Sequence, residues 1–142
     1  MTRYDILLVD DEQDFREVMT KKLAKRDLQC DSAPDGASAL EMMKTKNYDV
    51  VLLDVKMPGM DGIETLREIK KIKPLTEVVM LTGHASVESG INGIKFGAFD
   101  YLMKPIDMEP LMEKLDAAYE RKRIQQEKIE TAQIKRDMAL PS

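Results

Sequence analysis

Short apolar runs and helix-period segments alternate five times along the chain. The runs are Asp5-Ile-Leu-Leu-Val-Asp10, Gln29 to Ala33, Asp49-Val-Val-Leu-Leu-Asp54, Glu77-Val-Val-Met-Leu-Thr82 and Asp100 to Met103. They are short, mostly continuous and bounded by polar or turn residues, which is the pattern of strands buried on both faces. Between them, apolar residues recur at helical spacing. Phe15, Val18, Met19 and Leu23 share one face, as do Ala37, Leu40 and Met43; Ile63, Leu66 and Ile69; and Val87, Ile91 and Ile94. Met108, Leu111, Met112, Leu115 and Ala118 follow the last strand in the same way. Pro34-Asp35-Gly36 marks the second strand–helix junction, and Lys73-Pro74 ends the third helix.

This alternation predicts an α/β fold, (βα)5, with a parallel sheet covered by helices on both sides. Right-handed crossovers allow the doubly wound, flavodoxin-like order 2-1-3-4-5, in which ligands bind outside the carboxyl ends of the strands. The last helical pattern runs from about Met108 to Met138, about twice what the fold requires. Residues 1–120 therefore form one domain and 121–142 a helical extension or linker. Beyond Tyr119 the apolar stripe fades. Ile124, Ile129 and Ile134 are spaced by five, and the heptad positions 117, 124, 131 and 138 hold Ala, Ile, Thr and Met, a weak coiled-coil seam. A solvated extension, a dimerising helix and a linker to an output domain all stay open.

Composition narrows the class. The chain has 142 residues, enough for one domain with a core that needs no disulfide. Apolar residues make up 43% and charged residues 34%, as in ordinary globular proteins. The single Cys30 excludes an intramolecular disulfide and a cysteine-rich zinc cluster, and a free thiol fits a reducing cytoplasm. The longest apolar runs are far shorter than the ~20 residues of a membrane span, so no membrane association is expected. The eleven methionines read as core filler. Net charge is −4, and residues 1–119 carry 16 basic against 22 acidic side chains. An acidic body disfavours nucleic acid and suits cations and basic partner surfaces.

The polar residues at the strand ends carry the candidate chemistry. Asp10, Asp11 and Asp54 end the first and third strands, which are neighbours in the expected sheet. Two carboxylates about 4 Å apart repel by ~4 kcal/mol at an effective dielectric of about 20. Asp10, Asp11 and Glu12 could cap the first helix, but Asp54 at the same edge points to a hard divalent cation, which relieves the repulsion and can bridge phosphate oxygens. Thr82 ends the fourth strand beside Gly83, and Lys104 ends the fifth before Pro105. Three acids, a hydroxyl and an ammonium at one sheet edge form a set that can hold a phosphoryl group and spread its charge.

The runs Leu8-Val-Asp-Asp-Glu12, Leu53-Asp-Val-Lys-Met-Pro-Gly-Met-Asp-Gly62, Leu81-Thr-Gly-His-Ala85 and Gly97-Ala-Phe-Asp-Tyr-Leu-Met-Lys-Pro105 resemble the receiver domains of bacterial two-component response regulators. The resemblance covers residues 3 to 120. It implies a cytoplasmic signalling domain that catalyses its own phosphorylation and dephosphorylation, and not an enzyme acting on other substrates. Asp54 is then the phosphoacceptor, with Thr82 and Lys104 as the phosphoryl-binding pair. Asp11, Asp54 and the backbone carbonyl of Lys56 bind Mg2+ (or Mn2+), and Asp10 helps through water. Tyr101 is the aromatic switch that moves inward with Thr82, and the Lys104–Pro105 bond is cis. Lys56 and His84, two residues beyond Asp54 and Thr82, overhang the phosphoryl group and tune its lifetime. Met57-Pro58-Gly59 forms a tight loop against the site.

The implied partners are a sensor histidine kinase or phosphotransfer protein, and a downstream protein or an absent output domain. A homodimer through the face from the fourth to the fifth helix is a further option. The long last helix is similar to that of receivers in enhancer-binding transcription activators. Two rivals fit less well. A haloacid-dehalogenase-like phosphatase needs an acid where Lys56 stands, and a flavodoxin-like mononucleotide carrier needs a Ser/Thr/Gly-rich first loop where Asp10-Asp11-Glu12-Gln13 stands.

Overall fold

The computed structural model describes residues 3–57, 59–83 and 87–139. Strands and helices alternate in the expected order: β1 (Asp5–Val9), α1 (Gln13–Ala24), β2 (Gln29–Ala33), α2 (Gly36–Thr45), β3 (Val50–Asp54), α3 (Gly62–Ile72), β4 (Glu77–Thr82), α4 (Val87–Lys95), β5 (Asp100–Met103) and α5 (Met108–Ala139). The five strands form one sheet in the order β2-β1-β3-β4-β5, and every pairing is parallel. The flavodoxin-like order read from the sequence is the observed one.

Strand pleating splits the core in two, because successive side chains point to opposite faces of the sheet. Leu7, Val9, Val51 and Leu53 pack with Ala39 and Met43 of α2 and Leu66 and Ile69 of α3. Ile6, Leu8, Val50 and Leu52 pack with Met19 and Leu23 of α1 and Leu111, Leu115 and Ala118 of α5. Side chains on the central strands β3 and β4 are buried on both faces. The edge strands differ from the expectation of full burial: β2 and β5 are mostly half-exposed, since each is flanked by only one neighbour.

Helix starts follow local chemistry. Asp35 caps α2 by accepting the Ser38 N–H at 2.7 Å, and Asp61 caps α3 by accepting the Glu64 N–H at 2.8 Å. Four expected apolar positions face water instead of the core. Val18 of α1 is 51% exposed, Ala37 of α2 is exposed, and Ile91 and Ile94 of α4 lie outward. The buried stripe of α2 is Gly36, Ala39 and Met43, one position round from the expected face. In α4 the sheet-facing positions are glycines. A Cβ on Gly90 would sit 2.4 Å from Thr82 Cγ2, and one on Gly93 would sit 2.9 Å from Met80 Cγ.

Helix α5 leaves the core after Ala118, and Ile124, Ile129 and Ile134 are exposed. Two basic residues fasten its course to the base of the sheet. Lys122 Nζ donates to Asp49 Oδ1 at 2.6 Å, while Asp49 Oδ2 accepts the Asp5 N–H at 2.8 Å. Arg121 Nε lies 3.1 Å from Oε2 of the buried Glu77, off the line that a hydrogen bond requires. Lys122→Met keeps the aliphatic stem but strips a half-buried carboxylate of its charged partner. It is expected to cost about 1–2 kcal/mol in urea unfolding; an unmoved midpoint would mean that the Asp5 N–H alone satisfies Asp49. Among the described residues, no helix is long and apolar enough to cross a membrane.

Candidate functional site

Parallel register brings the candidate residues to one edge. Val9 pairs with Leu53, Asp54 with Leu81, and Thr82 with Met103. Asp10, Asp54, Thr82 and Lys104 therefore emerge side by side at the carboxyl ends of β1, β3, β4 and β5. Asp10 and Thr82 are fully buried, Asp54 is 9% exposed, and Asp11 is exposed.

Asp10 is the organising carboxylate. Its Oδ1 accepts the Glu12 N–H at 2.9 Å and its Oδ2 accepts Lys104 Nζ at 2.6 Å. Its backbone carbonyl accepts Arg16 Nη1 at 2.7 Å, so the turn into α1 is braced from the first helical turn. Carboxylate oxygens of Asp10, Asp11 and Glu12 all lie within 4.8 Å of one another. Glu12 occupies the N-cap of α1 without a side-chain capping bond, which leaves its carboxylate free to face the cluster.

Asp54 has few local partners. Its Oδ1 accepts the Lys56 N–H at 3.3 Å. Burial pushes its pKa up from 3.8 to about 6; Lys104 opposes the rise, and the nearby Asp10 and Asp11 add to it. Burial works against the charged form of Lys104, but its bond to Asp10 and the charges of Asp10, Asp54 and Glu12 outweigh that and hold its pKa above the ordinary lysine value. The Thr82 hydroxyl donates to the Leu102 carbonyl at 3.4 Å, away from Asp54. Tyr101 is half-exposed beside Gly90. The Lys104–Pro105 peptide bond is cis.

Beside Asp54 opens a cleft of about 560 Å³ bordered by Asp11, Lys56, Met57, Asp61 and Ser89. Gly62 packs closely against the end of β3. Its N–H donates to the Val55 carbonyl at 3.0 Å, and a Cβ there would lie 2.5 Å from the Asp54 carbonyl oxygen. Gly59 bends the β3–α3 loop at φ +74°. Pro58 of that loop, and His84 with Ala85, lie outside the described residues.

Several contacts were not readable from sequence pattern. Glu12, Phe15 and Arg16 surround Asp10 and Lys104, but the apolar periodicity marks Phe15 only as a core residue and is silent on the other two. Ser89 reaches the cleft from α4 with no motif to flag it.

Residues 6–116 match the response regulator receiver domain model. The chain is 36% identical over 118 residues to the DNA-binding transcriptional regulator NtrC of Escherichia coli (strain K12), covering 83% of this chain and 25% of that protein. It is 40% identical over 114 residues to the transcriptional regulatory protein ZraR of the same strain, covering 80% and 26%. A response regulator receiver domain protein from Clostridium thermocellum, known from its crystal structure, superposes with a TM-score of 0.82 at 34% identity, covering 86% of this chain and 98% of that one. The chain thus spans about a quarter of the length of the curated relatives it matches. With a family match over most of its length and the strand-end acids, threonine and lysine at one sheet edge, the chain belongs to the response regulator receiver domain family.

Proposed function

We propose that the chain is a phosphorylation-dependent switch. It accepts a phosphoryl group on Asp54 from a sensor histidine kinase or phosphotransfer protein, in a reaction that depends on magnesium or manganese. The observation that carries this reading is Asp54 itself, a nearly buried carboxylate beside Asp10, Asp11 and Lys104 with one backbone N–H as its only hydrogen-bond donor among the described residues.

The donor set suits a hard cation. Carboxylates within 4.8 Å at one sheet edge repel each other, and Lys104 supplies one positive charge against them. Asp11, Asp54 and the Lys56 carbonyl would hold the ion, with Asp10 acting through water. A bound ion supplies Lewis-acid neutralisation of phosphoryl charge.

The protein groups do the rest. The Asp54 carboxylate attacks phosphorus in line; its O–P bond forms as the donor histidine's P–N bond breaks, and the imidazole leaves with a proton. Lys104 donates hydrogen bonds to the phosphoryl oxygens as their charge develops. Thr82 turns its hydroxyl from the Leu102 carbonyl to the phosphoryl group, and Tyr101 follows into the space vacated. Water later hydrolyses the acyl phosphate, with Lys56 at the mouth of the cleft and His84 governing its access.

Residues 1–120 are the receiver, and 121–142 extend it or link it onward. The relatives NtrC and ZraR are transcriptional regulators by name, so an output domain beyond α5 is the reading for a longer parent protein. A separate downstream protein is the alternative target. The exposed Ile91, Ile94, Phe96 and Met103 on α4, β5 and the loop between them form the surface that changes, for a target or a homodimer.

The test is intact mass after incubation with acetyl phosphate and magnesium. Wild type is expected to gain one HPO3, about 80 Da, and Asp54→Ala to gain none. A folded wild type that gains no mass with either metal sinks the reading.

A further inference from the structure

Lys104 is held on three sides, and one of the three carries no formal charge. Its Nζ lies 2.6 Å from Asp10 Oδ2, 3.6 Å from Glu12 Oε1 and 4.3 Å from the centroid of the Phe15 ring. Phe15 is the third residue of α1, half-buried, and its side chain packs against the core layer under α1 and α5. The ring thus fills core space and also presents its negative face to the ammonium.

We propose that Phe15 is a positioning residue for phosphoryl transfer: its ring holds the Lys104 ammonium over the site without consuming any of the hydrogen bonds that the phosphoryl group needs. The inference rests on Asp54 being the phosphoacceptor. A lysine ammonium has three N–H donors, and Asp10 takes one at short range. A third carboxylate against Nζ would take another and draw the ammonium further from Asp54. A ring face attracts the cation through its quadrupole, without a directional acceptor, so two N–H groups stay free to turn toward phosphoryl oxygens. The Lys104 side chain is only 20% exposed, which limits how far water screens the attraction. An aliphatic side chain at position 15 fills the same core space but leaves the ammonium anchored by Asp10 and Glu12 alone.

The experiment compares the full chain with Phe15→Leu and Phe15→Tyr, each checked for folding by thermal melt. Two quantities are read: kcat/KM for phosphorylation by acetyl phosphate with magnesium, and the proton shift of the Lys104 ε-methylene by NMR. Phe15→Leu is expected to lower kcat/KM about three- to fivefold, the factor that a partly exposed cation–π contact supplies. Phe15→Tyr, which keeps the ring face, is expected to match wild type. The ε-methylene signal is expected upfield in wild type and Phe15→Tyr from the ring current, and to move to its ordinary position in Phe15→Leu. Wild-type rates in Phe15→Leu, equal losses in both variants, or an ε-methylene shift indifferent to the ring each overturn the proposal. A wild type that displays the upfield signal yet takes up no phosphoryl group overturns the phosphoacceptor reading and this role with it, whereas a phosphorylated wild type with a normal methylene shift overturns the Phe15 role alone.

Discussion

Gly62→Ala is expected to destabilise the protein by about 3 kcal/mol, at the upper end of the usual cost of forcing extra volume into a packed interior. The added methyl would run into the backbone at the end of β3: the Asp54 carbonyl oxygen at 2.5 Å, the Val55 Cα at 2.7 Å and the Val55 carbonyl oxygen at 2.8 Å. A side chain in the way could rotate, but here either α3 must lift from the sheet or the end of β3 must move. Lifting α3 breaks the Gly62 N–H to Val55 carbonyl bond of 3.0 Å and pulls the Asp61 cap out of place. Moving β3 displaces Asp54. Both routes touch the site, so slower phosphorylation is expected alongside the lower urea midpoint. Gly83→Ala is the control, since among the described residues nothing lies within 4 Å of the position its Cβ would take. If both variants melt like wild type, the close approach of α3 to β3 has no energetic weight.

That close approach also separates what the sequence discloses from what it hides. Asp10, Asp54, Thr82 and Lys104 were legible because each terminates a short apolar run, and a parallel sheet puts all such termini on one edge. The two-layer core was legible from the continuous apolar runs of β1 and β3, which leave both faces of the sheet in need of cover. Helix faces were less so. A helical wheel ranks Ile91 and Ile94 as core, but the space under α4 is already filled by Met80 and Thr82, so only Gly90 and Gly93 fit against the sheet. Hydrophobicity says which residues avoid water, and not how much room the opposite surface leaves. Edge position is likewise invisible from one strand alone, which is why β5 reads as buried and is half-exposed. The ring of Phe15 against Lys104 depends on how two side chains 89 residues apart in sequence reach across a strand end, and no local pattern encodes that.

In metal-free buffer, Asp54→Asn is expected to be more stable than wild type by about 3 kcal/mol at pH 8, and the difference is expected to vanish near pH 4. Asp54 titrates at about 6 in the fold against an ordinary 3.8, with burial as the main cause. The folded state therefore holds its proton where the unfolded chain has already lost it. Between those two values the native state binds more protons, so wild-type stability falls as pH rises through the window. Above about 6 the cost of the buried carboxylate is complete and constant. Asparagine removes the charge at every pH and keeps the acceptor oxygen that receives the Lys56 N–H. Urea unfolding of both proteins at half-unit steps from pH 4 to 8, with chelator present, measures the difference directly. Repeating the series with saturating magnesium is expected to stabilise wild type above pH 6 and shrink the gap, since a ligand that binds only the folded state adds stability as the logarithm of one plus its concentration over its dissociation constant. A difference that stays flat across the pH range without metal would mean that the Asp54 carboxylate is as well accommodated folded as unfolded. The strain that a cation and a phosphoryl group are held to relieve would then be absent from this site.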